Sequence, residues 1–120
     1  MNDPRLPLQG IRVVEFVHVI MGPSCGLVLA DLGAEVIKVE PLDGDHTRRL
    51  TASGAGFFPN YNRNKKSLAL DLKSKEGQEI VLKLIKSADV LTENFRPGSM
   101  DKLGFGFAAL NNLQPELIYC

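Results

Sequence analysis

Three cations in four residues, Arg63, Lys65 and Lys66, broken only by Asn64, stand where a polar loop runs into the strand-like segment Ser67-Leu68-Ala69-Leu70-Asp71-Leu72. A lysine ammonium on its flexible stem suits phosphate oxygens as a mobile point charge, and an asparagine can address a base or ribose edge. Cations at the start of a strand therefore suggest an anion held at the rim of a sheet. The plain alternative for so short a run is a solvated loop. Two other segments carry polar and aromatic groups between an extended run and a helix: Val17-His18-Val19-Ile20-Met21-Gly22-Pro23 and Glu93-Asn94-Phe95-Arg96-Pro97-Gly98. At the carboxyl end of a parallel strand, ahead of a helix N-terminus, open α/β sheets gather ligands and free N–H groups favour anions. The first of these turns has no Gly-x-Gly-x-x-Gly fingerprint. That disfavours a nicotinamide dehydrogenase, although Glu40 ends the second apolar run where such enzymes hold a ribose. Taken alone, His18 reads equally as a structural or an active-site histidine, and Phe95 reads as core.

The elements that must position these segments follow from periodicity. Val13 to Val17, rich in β-branched and aromatic residues after the Gly10 turn, predicts a first strand. Gly22-Pro23 opens a helix with Pro23 at its first position. Cys25, Val28, Leu29 and Leu32 fall at i, i+3, i+4 and i+7 as its buried face, and Gly33 stands where a left-handed cap belongs. A second strand over Glu35 to Glu40 completes a βαβ unit, which implies a parallel sheet with right-handed crossovers. The pattern recurs. Ser67 to Leu72 predicts a third strand, and Ser74 caps a helix whose buried stripe is Ile80, Val81, Leu84, Ile85 and Ala88. Asp89 to Glu93 predicts a fourth strand, followed by a short helix from Pro97-Gly98 with Met100 and Leu103 inward and Gly104 as its stop. A further helix spans Phe107 to Leu113, and a fifth strand starts at Leu117. The stretch from Pro41 to Tyr61 reads as a long irregular loop, of the kind that is often functional.

A chain of 120 residues with 44% hydrophobic content can build one core. Its fourteen basic and fourteen acidic residues cancel, which argues against a broad nucleic-acid or membrane surface and leaves any electropositive site local. The two cysteines, Cys25 and Cys120, show neither disulfide nor metal spacing. The expectation is no metal, a reducing compartment, and Cys25 as a small buried helix residue. The start, Met1 to Arg5, has no apolar leader, and no apolar run is long enough to span a bilayer. A soluble cytoplasmic protein is expected, or an organellar-matrix one whose presequence has been removed.

In this order and at these separations, Gly22-Pro23-Ser24-Cys25, Leu32-Gly33-Ala34-Glu35-Val36-Ile37-Lys38-Val39-Glu40, Asn62-Arg63-Asn64-Lys65-Lys66-Ser67 and Glu93-Asn94-Phe95-Arg96-Pro97-Gly98 resemble the N-terminal part of the class III CoA-transferase family. That family includes the formyl-CoA, carnitine and succinyl-CoA-dependent transferases and the α-methylacyl-CoA racemases. The resemblance runs from about Leu8 to Cys120. It implies an α/β fold, a Rossmann-like parallel sheet with flanking helices, with residues 1–120 as a partial coenzyme A-binding domain. Members are several times longer, so the catalytic aspartate and the second domain are expected beyond Cys120.

Carried over by position, His18, Val19, Ile20 and Met21 would approach the thioester. Formyl-CoA transferases place a glutamine where this chain has Ile20, which favours a larger or less polar acyl group here. Asn64, Lys65 and Lys66 would meet the adenine nucleotide end of coenzyme A, with Asn94 and Phe95 at the adenosine and Arg96 adding charge. Many members have an arginine directly after the acid of strand two. Pro41 holds that place here, and Arg48 or Arg49 is the candidate substitute. The reaction implied is transfer of CoA from an acyl-CoA to a carboxylic acid through an aspartyl-CoA thioester, in an interlocked homodimer. A racemase of the same family is one alternative. An inactive fragment that only binds CoA weakly is another, and residues 1–120 alone are expected to be inactive.

Overall fold

The computed structural model describes residues 5–120, so most of the start read above for a leader, Met1 to Pro4, lies outside the described residues. Five strands, β1 (Arg12–Phe16), β2 (Glu35–Glu40), β3 (Lys66–Ala69), β4 (Val90–Glu93) and β5 (Ile118–Tyr119), alternate with helices α1 (Met21–Asp31), α2 (Phe57–Asn62), α3 (Lys75–Lys86), α4 (Ser99–Leu103) and α5 (Phe107–Leu113). Every strand pairing is parallel and the order is β3-β2-β1-β4-β5. This is the Rossmann-like α/β sheet expected. The chain moves outward from β1 to β3 and then returns to the other side of β1 for β4, which makes the β1/β4 boundary the topological switch point.

Side chains alternate across a strand, and here the alternation separates two unlike faces. On one, Val14, Phe16, Val39 and Leu91 pack against Val81 and Ile85 of α3 and against Met100, Phe105 and Leu110. On the other, Val13 and Val36 meet Ala30 and Ala34 near the amino ends. Toward the carboxyl ends that same face carries Glu15, Lys38, Glu40 and Thr92, all buried. Lys38, Glu15 and Thr92 are register partners across β2, β1 and β4.

Helix α1 differs from expectation. Met21 is its first residue, which makes Pro23 the third, and its buried side is Gly22, Pro23, Gly26 and Ala30. Of the stripe that periodicity selects, only Leu29 packs inward, against the Val13–Val36 cluster; Cys25 is exposed, as are Val28 at 57% and Leu32 at 40%, along with Met21 at 81%. Up to Ala30 the helix holds no charged residue, so the pattern has too little contrast to orient it. Contact decides instead. A Cβ on Gly26 would overlap the Glu15 carboxylate, and only a face of small residues lets the helix lie on a polar strand row. Gly33, at φ +106°, is the left-handed residue anticipated.

Elsewhere the corrections are smaller. Ser74 caps α3 by accepting from the Gly77 N–H at 3.0 Å, and Val81, Ile85 and Ala88 are buried, but Ile80 lies on the exposed rim. Strand β3 stops at Ala69 rather than Leu72, because the Asp71 side chain accepts from the Lys73 N–H and turns the chain. The region from 41 to 61 is not irregular throughout: it forms 3-10 turns at His46–Arg49 and Ala52–Gly54 and begins α2.

Candidate functional site at the carboxyl edge

The turn between β1 and α1 is held from two sides. Asn94, just past β4, accepts from the His18 N–H at 3.0 Å and donates its amide to the His18 carbonyl at 2.9 Å. From the β2 side the Lys38 ammonium donates to the Val17 carbonyl at 2.6 Å. Between these anchors Val19 adopts φ +68°, uncommon for a β-branched residue. Helix α1 then starts hard against the turn: a Cβ on Gly22 would sit 2.6 Å from Val17 Cβ and 2.8 Å from Asn94 Cγ. No side chain caps α1, so the positive end of its dipole is open at this edge.

The segment after β2 supplies the facing wall. Glu40 accepts from the Asp45 N–H at 2.7 Å, from Arg48 at 2.6 and 2.8 Å and from the Ser67 hydroxyl at 2.6 Å. Burial pushes its carboxyl up, but these hydrogen bonds and the Arg48 charge prevail and hold it at about 2. Asp45 is buried, accepts from the Thr47 N–H and hydroxyl, and lies 3.0 Å from the Lys38 ammonium. In this way Asp45 and Thr47 are fixed inward, and the partly exposed Arg48 is pinned to Glu40 and stacks 3.8 Å over Phe58. His46 and Arg49 remain toward the cavity. Of the two arginines considered as substitutes for the missing one, Arg48 is engaged with buried Glu40. Arg49 lines the cavity and holds only the exposed Asp43.

Between these walls lies a cavity of about 380 Å³, lined among others by Val17, His18, His46, Arg49 and Phe95. The His18 ring centroid is 5.5 Å from that of Phe95 and 5.9 Å from that of His46. The structure therefore brings together His18, Asn94 and Phe95 from two separate motifs, with the strained Val19, half-buried Ile20 and exposed Met21 on the same turn. Asn94 spends both ends of its amide on the backbone of His18, and Arg96 is exposed beyond Phe95.

Asn64, Lys65 and Lys66 are elsewhere. They precede or open β3, at the amino edge of the sheet, on a separate cavity of about 730 Å³ shared with Arg12, Glu35 and Asp89. Of the electropositive rim anticipated there, Arg63 and Lys66 stay on the surface in exposed ion pairs, whereas Lys65 is turned inward. Arg63 pairs with Asp31 at 2.8 Å, Lys66 with Glu35 at 2.5 Å, and the Asn64 amide donates to the Ala30 carbonyl at 3.1 Å. Lys65, with 2% of its side chain exposed, bonds Glu15 at 2.7 Å and the Pro23 carbonyl at 2.8 Å. Burial raises the Glu15 carboxyl and lowers the Lys65 ammonium, each opposed by the partner's charge. Sequence reasoning selects none of Lys38, Asp45 and His46 for the site, and it offers Arg49 only as a substitute for the arginine whose place Pro41 holds. The alternation of Val36, Lys38 and Glu40 with Ile37 and Val39 was the available signal, but it reads as a solvated strand face.

Five parallel strands with flanking helices and a cavity at their carboxyl edge make a Rossmann-like α/β unit, in the class of open sheets that gather ligands at that edge. Likeness to a Serratia marcescens short-chain dehydrogenase/reductase, with a TM-score of 0.50 at 15% identity, speaks for the fold alone. The profile of CoA-transferase family III matches residues 8–120, and the chain belongs to that family. It is 45% identical to a probable fatty acyl-CoA transferase of Mycobacterium tuberculosis over 98% of its length, and 45% identical to the formyl-CoA:oxalate CoA-transferase of Escherichia coli over 94%. A crystal structure of the M. tuberculosis protein superposes with a TM-score of 0.91 at 46% identity over 98% of this chain. A CAIB/BAIF family protein from Brucella suis gives 0.87 at 43% over 95%. The chain spans about a third of these relatives, from 28% of the E. coli enzyme to 33% of the M. tuberculosis structure.

Proposed function

We propose that residues 1–120 are the coenzyme A-binding part of an enzyme that moves CoA from an acyl-CoA donor to a carboxylic acid acceptor. The observation that carries this reading is the cavity at the carboxyl edge of the sheet, where Val17 and His18 after β1, the segment from Pro41 to Arg49 after β2 and Phe95 after β4 meet in a chain of CoA-transferase family III. The fit to an acyl-CoA is chemical. Apolar Val17, Val39 and Phe95 suit the acyl and pantetheine portions, while the helix N-terminus and Arg49 suit an anionic end. The Arg49–Asp43 pair is exposed, a class worth about 0.2–1 kcal/mol, so a phosphate can take Arg49 from Asp43 at small cost. Arg48, bidentate on Glu40, stays where it is.

Transfer through an aspartyl thioester needs a nucleophilic carboxylate at the thioester. Of the carboxylates that line this cavity, Glu40 and Asp45 are buried against Arg48 and Lys38, and Asp43 is engaged with Arg49. These pairings do not by themselves exclude Asp43, which is exposed; it is the resemblance to the family that implies a nucleophilic aspartate outside residues 1–120. Incubation of the chain with succinyl-CoA and a labelled dicarboxylate in deuterated water tests this division of labour. Expected are CoA-ester binding, no label in new CoA esters and no α-deuterium. Label transfer would place a nucleophile inside these residues, and α-deuteration alone would favour the racemase reading.

A further inference from the structure

Between the two walls of the carboxyl-edge cavity stands a single buried ammonium. Lys38 is 1% exposed, on the central part of β2, and its Nζ donates to the Val17 carbonyl at 2.6 Å while lying 3.0 Å from Asp45 Oδ2. Val17 begins the turn that presents His18 to Met21. Asp45 begins the turn that presents His46 and Arg49, and it organises that turn by accepting from Thr47 through both N–H and hydroxyl. Lys38 thus joins two loops that share no side-chain hydrogen bond among the described residues, by a hydrogen bond to the Val17 carbonyl and an ion pair to Asp45, while the buried Glu15 carboxylate stands beside it in register on β1.

A buried lysine is an expensive way to fill a strand position, since apolar residues of similar volume are often equally or more stabilising. What such a residue adds is geometry: charge-assisted hydrogen bonds are short and directional. Here the geometry fixed is a strained one. Val19 is held at φ +68° with Lys38 on the near side and the Asn94 amide on the far side, and strain of this kind persists only where the surroundings over-determine it.

We propose that Lys38 is a positioning residue that locks the β1–α1 turn and the Asp45–Arg49 turn into one ligand-binding frame. Binding depends on it even where stability does not. The inference rests on the assignment of the coenzyme A site to this edge.

The test removes the charge pair as a unit, with Lys38→Met and Asp45→Asn combined so that no buried charge is left alone, and compares it with Val81→Ala, a core variant on the opposite face. Two readouts are taken on the whole chain. Without ligand, the backbone shifts of Val19 are expected to leave their left-handed pattern in the double variant, with those of His18 changing alongside, and both are expected to stay put in Val81→Ala. With coenzyme A as the probe in calorimetry, the double variant is expected to bind about tenfold more weakly, the scale of one charged hydrogen bond lost from loop ordering. Val81→Ala should bind as wild type. Unchanged shifts at His18 and Val19, or wild-type affinity in the double variant, would overturn the proposal while leaving the coenzyme A site in place. A wild-type chain that binds no coenzyme A, with the shift change still present, would instead overturn the site assignment and leave Lys38 as the lock of the two turns.

Discussion

Lys65 offers the sharpest separation between a ligand-binding lysine and an internal one. Its side chain is 2% exposed and bonded to Glu15, which is 0% exposed and in register with Lys38 and Thr92 on the central strands. Replacing Lys65 with Met removes the direct partner of a carboxylate that water cannot reach. Breaking a buried pair from one side costs about 3–5 kcal/mol, a large share of the roughly 5–15 kcal/mol that holds a domain together. With a urea slope of about 1–3 kcal/mol per molar, the midpoint should fall by one to a few molar, or the chain should unfold outright. Adding Glu15→Gln should recover most of the loss, because neither charge then remains buried alone. Lys66→Met supplies the contrast: its pair with Glu35 is on the surface, a class worth about 0.2–1 kcal/mol. Equilibrium urea unfolding followed by circular dichroism reads all four proteins. A Lys65→Met chain within about 1 kcal/mol of wild type would refute the reasoning and reopen this lysine as a ligand group.

Gly26→Ala should destabilise by about 1–3 kcal/mol despite the usual helical preference for alanine, because its Cβ meets the Glu15 carboxylate; a raised melting temperature would contradict this. Glu40, held at about 2 against an ordinary 4.5, contributes stability that is complete above the unfolded value and lost as pH falls from about 4.5 toward 2. Urea midpoints at pH 5 and pH 3 should therefore differ more for wild type than for Glu40→Gln, and parallel profiles would count against the Arg48–Glu40 assignment. The outward stripe Met21, Cys25, Val28 and Leu32, together with the open edges at β3 and β5, should make the chain self-associate. Sedimentation velocity should show a smaller assembly for Val28→Lys, and a wild-type chain already monomeric at high concentration would show that the stripe needs no cover.

The strands, their parallel sense and the helix that follows each motif were legible because β-branched runs, Ser74 and the glycines at 33, 98 and 104 state local preferences that tertiary contacts left intact. Orientation was less legible. In α1 nearly every residue is apolar, so sequence could not say which side meets the sheet, and the outcome depended on Glu15 needing room opposite Gly26. The same strand carboxylate explains Lys65. A cation beside other cations reads as a solvated or ligand-facing loop until a buried acid fifty residues earlier is known to reach it. His18 and Asn94, seventy-six residues apart, were each read as candidates, but their mutual clamp follows from β1 and β4 being neighbours, which only topology reveals. His46, and the choice of Arg49 over Arg48, follow only from Asp45 and Thr47 being buried and Arg48 being held by Glu40.

The central claim is that coenzyme A binds at the carboxyl edge of the sheet. Titration of the isotopically labelled chain with coenzyme A, followed by amide chemical shifts, tests it most directly. The account predicts changes concentrated at Val17–Met21, at Asp45–Arg49 and at Asn94 and Phe95, with Asn64, Lys65 and Lys66 unmoved. Changes centred on Asn64 to Lys66 and Glu35 at the amino edge, or none anywhere, would contradict it.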